Sequence, residues 1–212
     1  MAGLGTACVN PQSDYENYIG SAADAQGPPT STGVVEAGSV DAALLHAPDS
    51  GFTDTKYVMA CEVQLGNGAA DAFLWVGTLT YTAKAGGGGT LLLTDQPLVA
   101  RATNINSLAS GGASAVAGPA TIAKDGTGTM MTGTQLVPGS ANPVSGVMAE
   151  IDNSSLAFHV LADDTVCANL AGNLVHPVTA TLVPAENICI YRKTNPDGTF
   201  TPLQDSDFAS CP

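Results

Sequence analysis

Apolar and polar side chains alternate along residues 56–65 with the period of two that is typical of a half-buried β-strand. One face of this run carries its large apolar residues, Tyr57, Met59, Cys61, Val63 and Leu65. The same alternation returns at residues 73–82, where Phe73, Trp75, Leu79 and Tyr81 share a face. The linker Gly66-Asn67-Gly68 supplies residues that tolerate the positive φ of a turn. The pattern predicts an antiparallel pair of strands in which Trp75 and Tyr81 are packing residues.

Further strand patterns follow, separated by turn residues. Strands are predicted over residues 90–94, 98–102, 129–137, 178–183 and 187–193. Residues 147–151 and 156–160 predict a β-hairpin around a turn at 152–155, and residues 164–174 predict a short helix. The total of about eight to ten strands favours an all-β fold, either a sandwich or a jelly-roll-like barrel.

Residues 1–54 differ in composition from the rest of the chain. They are rich in Pro, Gly, Ser and Ala, and Pro28-Pro29 enforces an extended backbone. We expect an extended N-terminal arm over residues 1–54, followed by a single β domain over residues 55–212. Such an arm lies either across a neighbouring subunit or against its own domain.

Four consecutive glycines, Gly86 to Gly89, precede the strand pattern Thr90-Leu91-Leu92-Leu93-Thr94. A phosphate-binding loop needs a following helix with Lys and Ser or Thr at fixed spacing, and this stretch has neither. The run of glycines therefore indicates a hairpin loop.

The charge content is low and acidic. Only 12% of residues are charged, about half the usual share of a globular protein, and the formal net charge is −13. Phosphate contacts need clustered Lys and Arg, and the only adjacent basic residues are Arg192 and Lys193. The composition therefore argues against binding to nucleic acid or to an anionic membrane.

The scarcity of charge has two explanations. The surface is either rich in Ser, Thr, Gly and Asn, as in many exported proteins, or covered by other subunits in an oligomer or lattice. We favour the second, because charged residues are depleted at buried interface cores.

Five cysteines are present, at positions 8, 61, 167, 189 and 211, and none has the spacing of a zinc site. Their odd number excludes complete pairing within one chain. Cys61 is expected to be a small buried apolar residue. Cys189 and Cys211 bracket a segment rich in Pro and Gly and are candidates to close it as a loop in an oxidising compartment.

The segment MAGLGTACVN has no basic region, apolar core or small-residue cleavage site of a secretory signal. No run of 18 or more apolar residues indicates a membrane span. If Met1 is native, we expect a cytosolic protein; otherwise, an exported mature chain remains an alternative.

The chemistry-bearing residues form no recognisable catalytic motif. The three histidines, His46, His159 and His176, have no nucleophile motif such as GxSxG beside them. Paired acids at Asp163-Asp164, together with His159, or at Asp205 and Asp207, are the candidate metal ligands, but the twelve-residue calcium loop is absent. Glu62 and Glu150 lie on predicted strands, and nothing in the sequence brings them together as a glycosidase pair. We therefore assign no catalytic, cofactor-binding or metal-binding residue and expect no enzymatic activity.

These observations predict a structural protein. The expected function is that of a self-associating or decoration subunit of a larger assembly such as a virion (capsid or head) shell, with itself and that shell as partners. The alternative is an exported, disulfide-stabilised β-sandwich module at the cell surface or outside the cell, of the pilus-like, adhesion or carbohydrate-binding kind.

Overall fold

The computed structural model describes residues 46–65, 68–161 and 165–209, and residue 211, apart from the side chain of residue 55. The predicted N-terminal arm falls mainly on residues 1–45, which lie outside the described residues. Cys8 and the candidate metal ligands Asp163 and Asp164 also lie outside them.

Nine β-strands form the described part of the chain: β1 (Phe52–Cys61), β2 (Phe73–Ala83), β3 (Gly89–Pro97), β4 (Ala115–Ile122), β5 (Thr127–Val137), β6 (Ala149–Val160), β7 (Val166–His176), β8 (Ala180–Leu182) and β9 (Ile188–Lys193). The helical elements among these residues are short 3-10 helices at Gly68–Asp71, Gly139–Ala141, Pro184–Glu186 and Asp205–Phe208. The prediction of an all-β chain is confirmed.

The strands form one antiparallel sheet that closes on itself. β1 to β7 follow one another as a meander, and β9 lies between β7 and β1, which completes a ring of eight strands. β8 pairs with the second half of β7, beyond the part of β7 that pairs with β9. The barrel and its meander order do not confirm the predicted sandwich or jelly roll.

One end of the barrel, which we call the packed end, is filled with apolar side chains. Tyr81, Phe158 and Val160 are at most 1% exposed there. The chain that enters β1 crosses this end, since the backbone N–H of Ala47 donates to the carbonyl of Lys124 over 2.9 Å. Tyr81 Oη also donates to the carbonyl of Pro48 over 3.4 Å.

We call the opposite end, where β2 and β6 begin and β7 ends, the mouth end.

A second apolar cluster lies on the outer face of β1 and β2. Val58, Ala60 and Leu74 are covered there by residues 98–105 and by the C-terminal segment that carries Phe200 and Phe208. The sheet is therefore apolar on both faces in this region, and its outer face is covered by the protein's own loops.

Three sequence-based predictions of local structure are wrong. Residues 98–102 form no strand, and Leu98 makes an isolated bridge to Leu108. The predicted hairpin over 147–160 is wrong, because β6 runs unbroken through the predicted turn. Its ladder shifts register between Asp152 and Ser155, and Asn153 has a φ of 52°, so the turn-forming residues make a bulge. The predicted helix over 164–174 is also wrong, because Val166, Ala168 and Leu170 alternate into the barrel interior as part of β7.

The cysteine predictions are corrected as well. Cys61 forms a disulfide with Cys189, its direct partner across β1 and β9. Cys211 pairs with Cys167, which attaches the C-terminal segment to β7. Cys189 and Cys211 therefore do not close a loop with each other. No helix in the described residues is long and apolar enough to cross a membrane.

Candidate functional site

The mouth end contains an apolar cavity of about 220 Å³, which we call the mouth cavity. Its walls come from the start of β2, the start of β6, the end of β7 and β8, and from the loops that follow β1, β5 and β7. The wall residues from the strands are Phe73, Trp75, Ala149, Ile151, Leu170, Leu174 and Leu182. The mouths of β-barrels are common positions for small-molecule sites.

Strand alternation explains why these walls are apolar. Phe73 and Trp75 are consecutive inward residues of β2, and their rings stack with centroids 6.2 Å apart. Ala149 and Ile151 begin the inward face of β6, and Leu170 and Leu174 end that of β7. The cavity exists because these side chains line the barrel without meeting across it.

The loop after β5 forms part of the rim and is fixed by Asn142. This side chain is 4% exposed, and its Nδ2 donates to Ser145 Oγ (2.9 Å) and to the carbonyl of Val147 (2.8 Å). Its Oδ1 accepts from the N–H groups of Val144 (3.0 Å) and Ser145 (3.2 Å). Asn142 lines the mouth cavity, but its amide forms these hydrogen bonds within the loop. The cavity therefore remains apolar in character.

A second buried amide holds the opposite side of the mouth. Asn187 has no exposed surface; it donates to Gln64 Oε1 over 3.0 Å and to the carbonyl of Val183 over 2.7 Å, and accepts from the N–H of Gln64 over 3.1 Å. These bonds join the end of β1 to the segment between β8 and β9. We call this set, Gln64, Val183 and Asn187, the amide clasp.

Beneath the mouth cavity, towards the middle of the barrel, lies a smaller cavity of about 30 Å³, which we call the inner chamber. It shares Trp75, Ile151 and Leu170 with the mouth cavity, so these three side chains form the boundary between the two spaces. The polar residues of its wall are Asp95, Thr132 and Gln135. Burial raises the pKa of the Asp95 carboxyl to about 6.

None of the three histidines considered from sequence lines either cavity. His159 is half-buried on β6, where burial lowers its pKa against a smaller opposing effect of Asp125. His176 ends β7 and His46 lies beside the packed end. Across the sheet, His159 lies opposite Thr127 of β5 and Cys167 of β7, whose sulfur is held in a disulfide.

The acidic candidates do not converge either. Among the described residues, no group of three or more His, Cys, Asp or Glu side chains is arranged to hold a metal ion. Asp205 accepts a hydrogen bond from the N–H of Ala69, and Asp207 forms an ion pair with Arg192. Glu62 follows β1 and Glu150 lies on β6, and those strands are not neighbours in the sheet. Partial burial and nearby Asp205 raise the pKa of Glu62.

Sequence reasoning missed Asp95, Asn142 and Asn187. A signal existed for Asp95, since Leu91, Leu93 and Asp95 share the inward face of β3 and an acid on that face is unexpected. No signal in the sequence distinguishes the buried Asn142 and Asn187 from ordinary loop residues.

A wider surface groove of about 410 Å³ lies over the outer apolar cluster. Its charged residues already have partners, because Arg101 pairs with Asp71 at 2.8 Å and Asp205 binds the backbone at Ala69. We regard this groove as a junction between loops.

The chain matches no protein-family model, no curated protein and no solved structure. Its function is therefore inferred from the geometry of the mouth cavity and the surfaces around it.

Proposed function

We propose that the protein binds a small apolar molecule in the mouth cavity. The observation that carries this proposal is the size and lining of the cavity, about 220 Å³ enclosed by aliphatic and aromatic side chains. A dry apolar cavity of about 150 Å³ is large enough to bind benzene, so this one accepts a ring with a short substituent. Removing such a ligand's surface from water provides the driving force.

The single tryptophan makes the proposal directly testable. Trp75 lies at the boundary between the mouth cavity and the inner chamber and is the only tryptophan in the chain, so its fluorescence reports on these two adjoining spaces. We expect ethylbenzene to change the Trp75 emission in a saturable manner. Absence of a saturable change would contradict the proposal.

A cavity-filling substitution provides the specificity control. Ala149→Leu places a larger side chain in the mouth cavity and is expected to weaken ethylbenzene binding by about tenfold or more. Ala113→Leu, on the exposed stretch before β4, is the matched control and should bind as the unsubstituted protein does. Equal binding by both variants would place the ligand elsewhere.

The two disulfides support an exported setting for this binding protein, because disulfides persist in oxidising compartments. This proposal keeps the exported, disulfide-stabilised alternative drawn from the sequence and replaces its sugar-binding or adhesive role with binding of an apolar ligand. Intact mass with and without reductant tests it. Free thiols at positions 61 and 189 in the freshly isolated protein would contradict it.

We propose self-association within a larger assembly, such as a virion shell, as the second candidate function. Its support is a set of exposed apolar side chains on two adjacent strands that are hardly paired with each other. β4 and β5 share a single ladder pair, Ile122 with Gly128. Val116, Met131 and Leu136 on these strands are 70%, 67% and 59% exposed. Exposed apolar surface beside unpaired strand edges is suited to association with a further chain.

Light scattering after size exclusion, across a dilution series, tests this second function. A stable oligomer that dissociates when Val116, Met131 and Leu136 are all replaced by Ser would support it. Leu108→Ser, at an exposed leucine away from β4 and β5, is the control and should leave the oligomer intact. A monomer of 21.2 kDa at every concentration would exclude self-association.

A further inference from the structure

The inner chamber is lined by a carboxyl group that lacks a cationic partner. Asp95 projects from the inward face of β3 and pairs with Gly77 of β2, where the two backbones lie so close that a Cβ at Gly77 would meet the carbonyl oxygen of Thr94. The ion pairs among the described residues join Arg101 to Asp71, Arg192 to Asp207 and Lys193 to Asp54. None of these ion pairs includes Asp95. Its carboxylate therefore enters the barrel interior without a compensating charge.

The hydroxyl of Thr132 and one N–H of the Gln135 amide donate to other groups of the protein. Ser154 Oγ donates to the carbonyl of Gly133 over 2.6 Å, so in its 2.6 Å contact with Thr132 the hydroxyl of Thr132 is the donor. Gln135 Nε2 donates to the carbonyl of Thr132 over 2.7 Å. Thr132 Oγ and Gln135 Oε1 are acceptors in the same cavity wall as the Asp95 carboxylate. This wall is suited to a ligand that donates several hydrogen bonds.

We propose that the ligand of the mouth cavity is an amphipathic primary amine whose ammonium group passes between Trp75, Ile151 and Leu170 and pairs with Asp95 in the inner chamber. The inference rests on the proposed function, because the apolar part of the ligand occupies the mouth cavity. An ammonium group matches the chamber in size, since about 30 Å³ accommodates one or two water molecules. It matches the chamber in chemistry, since an ammonium donates three hydrogen bonds and accepts none.

The charge of Asp95 makes the pairing depend on pH. The carboxyl has a pKa of about 6, raised by burial, so it is mostly ionised at pH 8 and mostly neutral at pH 5. The titratable side chain that interacts with it is Tyr191 of β9, whose pKa is raised well above its usual value by burial and by Asp95. Tyr191 therefore stays neutral over this range. Thr132 and Gln135 of β5 carry no charge. The chamber-lining residues of the other strands are uncharged as well: Met59, Cys61, Trp75, Ile151, Leu156 and Leu170.

Two compounds of matched shape test the inference. Ethylbenzene and phenethylamine share an aryl ring and a two-carbon chain and differ in the terminal amino group. Both are titrated against the full chain with disulfides intact, by Trp75 fluorescence and by calorimetry, at pH 8 and pH 5. We expect phenethylamine to bind about tenfold or more tightly than ethylbenzene at pH 8, and this preference to disappear at pH 5.

Substitution of Asp95 isolates the group responsible. Asp95→Asn is expected to abolish the preference for phenethylamine at pH 8 while leaving ethylbenzene binding in place, which also shows that the variant is folded. Asp49→Asn removes one exposed carboxylate near the packed end and should retain the full preference. Asp95→Leu serves as a second variant and should likewise bind ethylbenzene without preferring the amine.

The outcomes separate the inference from the proposed function. Equal binding of the two compounds at pH 8, or a preference that survives in Asp95→Asn, would overturn the inference and leave the apolar cavity as the binding site. If neither compound perturbs Trp75, both the inference and the proposed function fail.

Discussion

At the packed end of the barrel, Tyr81, Phe158 and Val160 fill the interior with apolar side chains. At the mouth end, the same inward alternation encloses about 220 Å³, and the strands are joined by the Cys61–Cys189 disulfide and the amide clasp. Side chains that border a cavity lose the dispersion contacts that a filled interior provides. The mouth end therefore depends on interactions that fix the strands without occupying the space between them.

The largest effect is expected from the covalent link at the mouth end. Replacing both Cys61 and Cys189 by Ala should lower the unfolding free energy by about 4 to 5 kcal/mol, because the bond closes a loop with a sequence separation of 128. Urea unfolding monitored by Trp75 fluorescence measures the change. The double variant of Cys167 and Cys211, whose separation is 44, should lose about 1 kcal/mol less. A larger loss from that second pair would contradict the expected effect of loop length.

A matched pair of leucines compares the two ends directly. Leu91 near the packed end has no exposed surface, so Leu91→Ala leaves a cavity and should cost about 4 kcal/mol. Leu174 already borders the mouth cavity, and Leu174→Ala should cost about 2 kcal/mol. Urea denaturation of both variants tests the difference. Equal costs would mean that the mouth end is packed as tightly as the other end in solution.

The carboxyl of Asp95 should make stability depend on pH. Its pKa of about 6 lies above the value near 4 of the unfolded chain, so the folded protein holds the proton more tightly. The resulting stabilisation is fully present below about pH 4 and is lost as the pH rises through about 6, and it amounts to about 2 to 3 kcal/mol. Comparing unfolding free energies of Asp95→Asn and the unsubstituted protein from pH 4 to pH 8 isolates this contribution. The prediction fails if the difference between the two proteins is independent of pH.

The effect expected at the amide clasp is among the smallest and equals that of Leu174→Ala. Asn187→Ala removes bonds to Gln64 and Val183 and should cost about 2 kcal/mol, because their polar groups lose a buried partner. Hydrogen exchange should become faster at the amides of Gln64 and Val183 and stay unchanged at Tyr81 near the packed end. Uniformly faster exchange would show that the clasp stabilises the whole barrel and not the mouth end alone.

Sequence alternation predicted the parts of the fold in which one face of a strand is buried. The pairing of β1 with β2 and the inward positions of Trp75 and Tyr81 are confirmed. The alternation did not distinguish a hairpin from the bulged β6, because Asn153 and its neighbours are equally suited to a turn and to a bulge. In β7, the residues predicted to form a helix pair with β6 along the strand, and this pairing outweighs local propensity.

The mouth cavity could not be predicted from the sequence. Phe73, Ile151 and Leu174 would have the same apolar character whether they met across the barrel or enclosed a cavity. The distance between opposite walls depends on the tilt and stagger of strands far apart in sequence, which local patterns do not specify. Disulfide partners pose the same difficulty, because Cys61 and Cys189 become neighbours only when β9 closes the ring beside β1.

The position of the Cys61–Cys189 bond also determines how the barrel responds to mechanical tension. A force applied at residues 46 and 209 travels along β1, crosses the sulfur atoms to β9 and leaves through the C-terminal segment. The residues between the two cysteines, whose sequence separation is 128, lie outside this covalent path, and reduction would release a further extension of roughly 3.5 Å per residue. Phe73, Trp75, Ile151 and Leu170 are all among these residues. Tension therefore acts on β1 and β9, whereas the strands that carry these wall residues are extended only after the disulfide is reduced.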